Sequence, residues 1–176
     1  MKIAIGSIVF PLFCLLLSLQ VLVSDPAFTY LLLNQDSVEP TKQLFQYFQG
    51  KEIPEIFNEQ EKAHLQDVKH LLKYSYYLLE IIAVILAFCM IDDWRKIIKY
   101  GTILLIILLA AGFLIPFDSF FTSFHKILFP QGNWQFPADS MLIQLYPASF
   151  FENYGIAIGI NALIAAATFI IVSRRG

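Results

Sequence analysis

Four long apolar runs alternate with polar stretches along this chain of 176 residues. A helix needs about 20 mostly apolar residues to cross the hydrocarbon core of a bilayer. Runs of that kind cover residues about 3–23, 74–91, 97–117 and 154–172. The first contains one proline, Pro11, which a bilayer helix tolerates with a kink. The second is interrupted only by Glu80, and the third has Lys99 at its start. The fourth carries Gly155, Gly159, Ala162, Ala165 and Ala166, a stripe of small residues suited to close helix packing in lipid. A cleaved signal peptide is the rival reading of the first run. That run is longer than a usual signal core, and no small-x-small site precedes Asp25, so an uncleaved helix is expected. Nor does it read as a lipoprotein signal, because Phe13 rather than a small residue precedes Cys14. The pattern predicts an all-α membrane protein. It would be one integral membrane domain over 1–176, a bundle of four transmembrane helices. An extracytoplasmic helical cap would be built from two loops, about 24–73 and 118–153.

Composition agrees. The chain is 57% hydrophobic and 15% charged, whereas soluble domains are nearer half apolar and a quarter charged. A formal net charge of −2 offers no basic field for nucleic acid, and no nucleic-acid partner is expected. Cys14 and Cys89 both fall inside apolar runs and read as small buried hydrophobes rather than a disulfide. Lys2 precedes the first span, Arg95, Lys96 and Lys99 fill the turn between the second and third, and Arg174 and Arg175 follow the fourth. The loop 118–153 holds only Lys126. Counting cations in short flanks predicts both termini in the cytoplasm and both long loops outside.

The loops carry the candidate chemistry. In the first, residues 41–48 predict a short amphipathic helix, with Leu44, Phe45, Tyr47 and Phe48 available to dip into the membrane interface. Residues 50–54 read as a turn. Asn58 then predicts an N-cap, with Glu61 three positions later completing a capping box, and this helix should run unbroken into the second span. On it, His64 has Glu61 three residues before and Asp67 three residues after. Residues three apart share a helix face, and a carboxylate beside an imidazole can hold its tautomer and raise its basicity. His70 stands three past Asp67 and could compete for the same carboxylate. The plainer alternative is a solvated helix entering the interface. Glu61, His64, Asp67 and His125 could also ligate zinc, but this spacing is weak evidence and no metal is expected.

The second loop is aromatic, with Phe120, Phe121, Phe124, Phe129, Trp134 and Phe136 among its residues, and Pro130 and Pro137 break it. Such a loop suits headgroup depth better than water. His125 lies among Phe124, Ile127, Leu128 and Phe129, and the Gly132-Asn133 turn brings Trp134 and the Asn133 amide to the same neighbourhood. An interfacial anchor is the plain reading of Trp134, and a satisfied interfacial imidazole that of His125.

Together these segments resemble a known family, the lipoprotein intramolecular transacylases (Lit), small four-span bacterial membrane enzymes. The resemblance rests on Glu61-x-x-His64-x-x-Asp67-Val68. It rests also on Phe124-His125-x-x-x-Phe129-Pro130-x-Gly132-Asn133-Trp134-x-Phe136, followed by Asp139, Leu142-Ile143, Tyr146-Pro147 and Phe150-Phe151. It implies transfer of the sn-2 acyl chain of a diacylglyceryl-cysteine lipoprotein to that cysteine's α-amine, giving a lyso-form lipoprotein. It maps His64 and His125 onto the family's two essential histidines. The expected partners are the diacylglyceryl lipoprotein and membrane lipids. The setting is the bacterial cytoplasmic membrane with the active site at the outer leaflet, no cofactor is expected, and a monomer is. The chemistry suits the inventory, because an intramolecular aminolysis requires a base, an acid and positioning but no nucleophilic Ser or Cys. His64 is expected as base, oriented by Asp67, with His125 toward the leaving oxygen, although the two roles can exchange. Glu61, Asn133, Trp134 and Phe124 are the expected substrate contacts, with Asn133 or Trp134 able to hold an oxyanion. Two other classes compete: a non-catalytic membrane module binding lipid or lipoprotein, and a metal-dependent membrane hydrolase.

Overall fold

The computed structural model describes residues 1–175, the side chains of Asp92 and Arg175 excepted. Its elements are α1 (Lys2–Ser24), α2 (Pro26–Leu31), α3 (Gln35–Phe48), α4 (Glu59–Phe113), α5 (Phe117–Leu128), α6 (Met141–Leu145) and α7 (Ala148–Arg175). No strand occurs among the described residues. Among the described residues, four helical segments are long and apolar enough to cross a membrane: Lys2–Ser24, Glu59–Ile91, Asp93–Phe113 and Ala148–Arg174.

Helix boundaries depart from the sequence expectation where local chemistry decides them. The turn between the second and third spans shrinks to a break within α4 at Asp93, whose backbone leaves the helical region (φ −146, ψ 68). Asp93 then caps the next limb, accepting from the Lys96 backbone N–H at 3.3 Å and pairing with the Lys96 ammonium at 2.7 Å. The third span ends at Phe113 rather than at residue 117, because Pro116 disfavours helix at the residue before it. Asp25-Pro26 separates α1 from α2 and starts the latter. Asp25 accepts from the Ala27 N–H at 3.0 Å, and Pro26 occupies the first turn, where its missing donor costs nothing. The helix expected over 41–48 begins six residues earlier, at Gln35.

The chain packs as two compact units. One comprises residues 1–22, 74–115 and 155 onward. Its core holds Phe10, Cys14, Leu86, Cys89, Ile97, Ile98, Leu105, Ala162 and Ala166. Both cysteines are free and buried. Ala162 and Ala166 are completely buried, so the small stripe is used there, whereas nothing approaches Gly155. Gly101 is required by close approach, since a Cβ there would lie 2.7 Å from the Phe10 side chain. Ser18 donates to the Ile158 carbonyl at 2.8 Å and ties α1 to α7. Glu80 has the Tyr76 side chain, one turn earlier, as its hydrogen-bond partner.

The other unit comprises residues 23–73 and 116–154. Its core holds Leu44, Tyr47, Phe57, Leu65, Leu142, Leu145, Tyr146 and Phe150. Leu44 and Tyr47 were expected to dip into lipid, but both are buried in this core, at 6% and 9% exposure. The apolar face of α3 is thus satisfied by protein. Thr41 donates to the Ser37 carbonyl at 2.7 Å, so it is the Tyr146 hydroxyl that donates to Thr41, at 2.8 Å. Lys69 lies across Tyr47, its ammonium 2.6 Å from the Tyr47 carbonyl and 4.0 Å from the ring. The Lys69 contacts tie the third turn of α4 to α3.

Candidate functional site

The register of His64 is set from one turn upstream. Asn58 accepts from the Glu61 backbone N–H at 2.9 Å, and Glu61 Oε2 accepts from the Asn58 backbone N–H at 2.8 Å, the reciprocal capping box. Glu61 Oε1 accepts from the Leu142 backbone N–H at 2.9 Å, so the same carboxylate also secures the first turn of α6. Glu61 is 1% exposed and both its oxygens are occupied by backbone donors. It was expected to touch substrate; its bonds in the structure tie the start of α4 to α6. Leu65, the residue after His64, is buried in the unit's core. With Glu61 anchored and Leu65 packed, the side of α4 on which His64 projects is determined.

His125 sits in the last turn of α5 and is buried. Its Nδ1 lies 2.8 Å from the Phe121 carbonyl. A carbonyl only accepts, so Nδ1 carries the proton and donates, and in the neutral ring Nε2 keeps its lone pair. Around this ring stand Phe121 at 4.0 Å, Trp134 at 5.0 Å, Phe124 at 5.4 Å and Phe129 at 5.5 Å between centroids. His64 stands 6.1 Å from His125, with Phe129 at 4.7 Å and Phe136 at 5.5 Å from its own ring. Two imidazoles thus share an aromatic enclosure, too far apart for a direct hydrogen bond and near enough to address one substrate group.

Both imidazoles are held neutral. Burial lowers the pKa of His64, the neighbouring His125 lowers it further, and Asp67 and the Asn133 amide only partly oppose this; the result is about 4. Burial likewise lowers His125, opposed by its bond to Phe121. Nδ1 of His64 is buried and has no hydrogen-bond partner within the protein. Buried polar atoms are nearly always satisfied, so an open nitrogen beside a second imidazole marks a place for a ligand atom.

Asp67 was expected to orient His64 directly. Instead its Oδ2 accepts from the Asn133 side-chain amide at 2.6 Å and from the Gln131 side-chain amide at 2.7 Å. The correction is that Asp67 acts on His64 through charge and through Asn133, which adjoins the imidazole. Gln131 also bonds the Asn133 carbonyl oxygen at 3.3 Å, and Gln60 reaches the Gln135 carbonyl at 3.0 Å. These bonds strap the 129–137 segment onto the start of α4, and Gly132 makes the bend possible at φ +80. Sequence reasoning missed Gln131; its position between Pro130 and the Gly132 turn was the available signal. His70 is exposed on α4. Of the residues singled out beforehand, His64, His125, Asp67, Asn133, Trp134 and Phe124 come together, whereas the carboxylate of Glu61 is engaged by backbone.

A concavity of about 460 Å³ lined by Gln43, Gln46, Lys51, Glu52 and Pro54 includes neither of the paired histidines. Among the described residues no three His, Cys, Asp or Glu side chains converge as a metal site. The assembled chemistry is that of two neutral imidazoles, one with a defined acceptor nitrogen and one with an open nitrogen, walled by aromatic rings. Such a pair can take a proton from a substrate amine and support charge on a substrate oxygen in a dry setting.

The backbone is similar to that of the membrane-integral lipoprotein intramolecular transacylase Lit from Bacillus cereus. Its solved structure aligns with a TM-score of 0.82 at 21% identity, covering 99% of this chain and 93% of that one. Two further structures of that protein, with one histidine replaced by alanine or by arginine, align at TM-scores of 0.76 and 0.72. At 28% identity over 113 residues the chain also matches a protein of Aquifex aeolicus (strain VF5) described as uncharacterized, covering 61% of this chain and about half (52%) of that protein's length. The family described as lipoprotein intramolecular transacylase Lit matches residues 4–151. That stretch takes in three of the four spans and both buried histidines, and by it this integral membrane chain belongs to the lipoprotein intramolecular transacylase family.

Proposed function

We propose that this chain moves the sn-2 acyl chain of a diacylglyceryl-cysteine lipoprotein to the α-amine of the same cysteine, leaving an N-acyl, S-monoacylglyceryl product. The observation that carries this reading is the pair of buried neutral imidazoles 6.1 Å apart. An N–C bond forms between the amine and the acyl carbonyl, the C–O bond to glycerol breaks, and one proton passes from nitrogen to the glyceryl oxygen. His125 accepts that proton at Nε2, the acceptor defined by its Nδ1 bond to Phe121, and returns it to the leaving oxygen. His64 holds the attacking amine: the Asn133 carbonyl oxygen takes the other imidazole N–H, its amide being committed to Asp67, so the open Nδ1 accepts from the amine N–H. His125, first expected only toward the leaving oxygen, thus carries the proton both ways, and the hydrogen bond to Phe121 is what favours this. Asp67 and Asn133 orient His64, while Trp134 and Phe124 line the acyl carbonyl's approach.

Because nucleophile and ester belong to one substrate, intramolecularity contributes on the order of 7–11 kcal/mol, and no acyl-enzyme is needed. The partners are a diacylglyceryl lipoprotein and membrane lipid, and the protein acts as a monomer. We place both termini in the cytoplasm and the histidines at the outer leaflet, a reading supported by the cations flanking the spans. The test is mass spectrometry of the N-terminal lipopeptide from a diacylated reporter, made with and without this protein in a host lacking other N-acylation. An unchanged total mass with one acyl chain relocated to the amine is expected. An unmoved acyl arrangement, or a gain or loss of mass, overturns the reading.

A further inference from the structure

A second site lies in the other unit, far from the histidines in the sequence. A cavity of about 290 Å³ is lined by Arg95, Ile98 and Lys99 from the start of the third span and by Ile170, Ser173 and Arg174 from the end of α7. Both sets have the spacing i, i+3, i+4, which puts each on a single helix face. The two faces share one design. Ile98 is 2% exposed and belongs to the unit's core, and Ile170 packs against that core, so the floor is apolar. Arg95, Lys99 and Arg174 are exposed and form a cationic rim, and Ser173 adds a hydroxyl.

Among the described residues no acidic one lines the cavity. The fourth nearby cation, Lys96, is paired with Asp93 at 2.7 Å, and Asp93 also attracts Arg95, but among the described residues no salt bridge engages Lys99 or Arg174. Arg95 and Lys99 instead approach the rings of Trp94 and Tyr100, at 5.5 and 5.7 Å. Three cations converging at the ends of two spans, in a chain of net charge −2, concentrate positive potential that calls for an anion. Basic pockets between spans are where anionic headgroups bind. An apolar floor under a cationic rim further selects an amphiphile over a soluble ion. The volume is at the low end of ligand sites, which suits a headgroup whose tails run outside along the helices.

We propose that this cavity binds the phosphodiester headgroup of an anionic glycerophospholipid, with Arg95, Lys99 and Arg174 as its counter-charges. The site is independent of the acyl-transfer reading and stands or falls apart from it.

The test uses the full chain, delipidated in a neutral detergent and then offered phosphatidylglycerol, phosphatidylcholine or inorganic phosphate. Native mass spectrometry should show one phosphatidylglycerol retained per chain, with a raised melting temperature, and neither effect from the other two probes. The double variant Lys99→Gln/Arg174→Gln should retain phosphatidylglycerol about 30-fold less well, roughly fivefold for each cation facing an anionic surface. Lys96→Gln, whose cation is already paired, should bind as the wild type does. Equal retention of phosphatidylcholine, or an equal thermal shift from phosphate alone, overturns the proposal, as does undiminished retention in the double variant. If that variant does not fold, the wild type decides: retention should fall steeply with added salt, and salt-insensitive retention overturns the site.

Discussion

His64 is a base that burial has made reluctant to take a proton, with a pKa near 4 against an ordinary value near 6.5. The sign of its effect on stability follows. Folded His64 binds a proton less tightly than unfolded His64, so stability is full above pH about 6.5 and falls as the pH drops through the window down to about 4. The part of acid destabilisation owed to this residue should be on the order of 3 kcal/mol below pH 4. Thermal melting in detergent between pH 7 and 4 checks this: His64→Phe should flatten the slope, and an unchanged slope would assign the acid sensitivity elsewhere. His125 makes a different prediction. His125→Gln keeps a side-chain donor near the Phe121 carbonyl but removes the proton acceptor. Acyl transfer should fall by roughly 10²–10⁴-fold, the usual range for a lost general base, with the melting temperature little changed. Reporter lipopeptide kinetics on the folded variant decide it, and wild-type rates would remove His125 from the proton path. At this scale the sequence was informative about identity and poor about partners. The Glu61, His64 and Asp67 spacing was visible because a helix face is a local property. That Glu61 faces Leu142 and Asp67 faces Gln131 depends on chain closure across more than 60 residues, which no local pattern encodes.

The element that closes over the two histidines is the irregular 129–137 segment, held to α4 by a few polar bonds. Asp67 accepts two amides at 2.6 and 2.7 Å on one oxygen, and hydrogen bonds to a charged group are the stronger kind, about 1.5–3 kcal/mol each. Gln131→Leu removes one of the two and leaves the Asn133 bond in place. Acyl-transfer efficiency should fall about tenfold, from a segment held less closely rather than from lost chemistry. Asp67→Asn should cost at least as much. The double variant should cost less than the sum, because both changes break the same bond. Additive losses, measured as kcat/KM on the diacylated reporter, would show that Gln131 works by another route. Sequence reading at the element scale was reliable where apolar periodicity was long and weak where caps decided. Asn58 and Glu61 announced the start of α4 because a capping box is local. Asp25-Pro26 ends α1 at Ser24 and, through the Asp25 cap, also starts α2, which apolar periodicity alone does not show.

For the molecule as a whole, the four spans were legible because apolar runs near 20 residues have few other stable homes. The two-unit packing was not, since burial of Leu44 and Tyr47 by protein rather than lipid reflects partners brought from residues 142–150. Transfer within one substrate molecule requires the amine and the ester to reach the two histidines together. The two cysteines of the chain are buried in the span core.

 Among the described residues the side chains ringing the two histidines are aromatic, so a covalent route would have to run through an imidazole itself. If transfer is direct, the amine must be acylated by its own glyceryl ester. A mixture of two reporters, one carrying isotope-labelled acyl chains and a distinct peptide mass, distinguishes the routes. Direct transfer predicts that each peptide keeps its own acyl set, with no crossed species above the uncatalysed background. A ping-pong route through an acyl-enzyme would let chains cross between peptides in proportion to their mixing ratio. Effective molarities for well-oriented intramolecular attack reach about 10⁵–10⁸ M, far above any attainable concentration of a second lipoprotein. A second molecule therefore cannot compete while the first is bound, and the crossed fraction should stay at background even when the second reporter is in large excess.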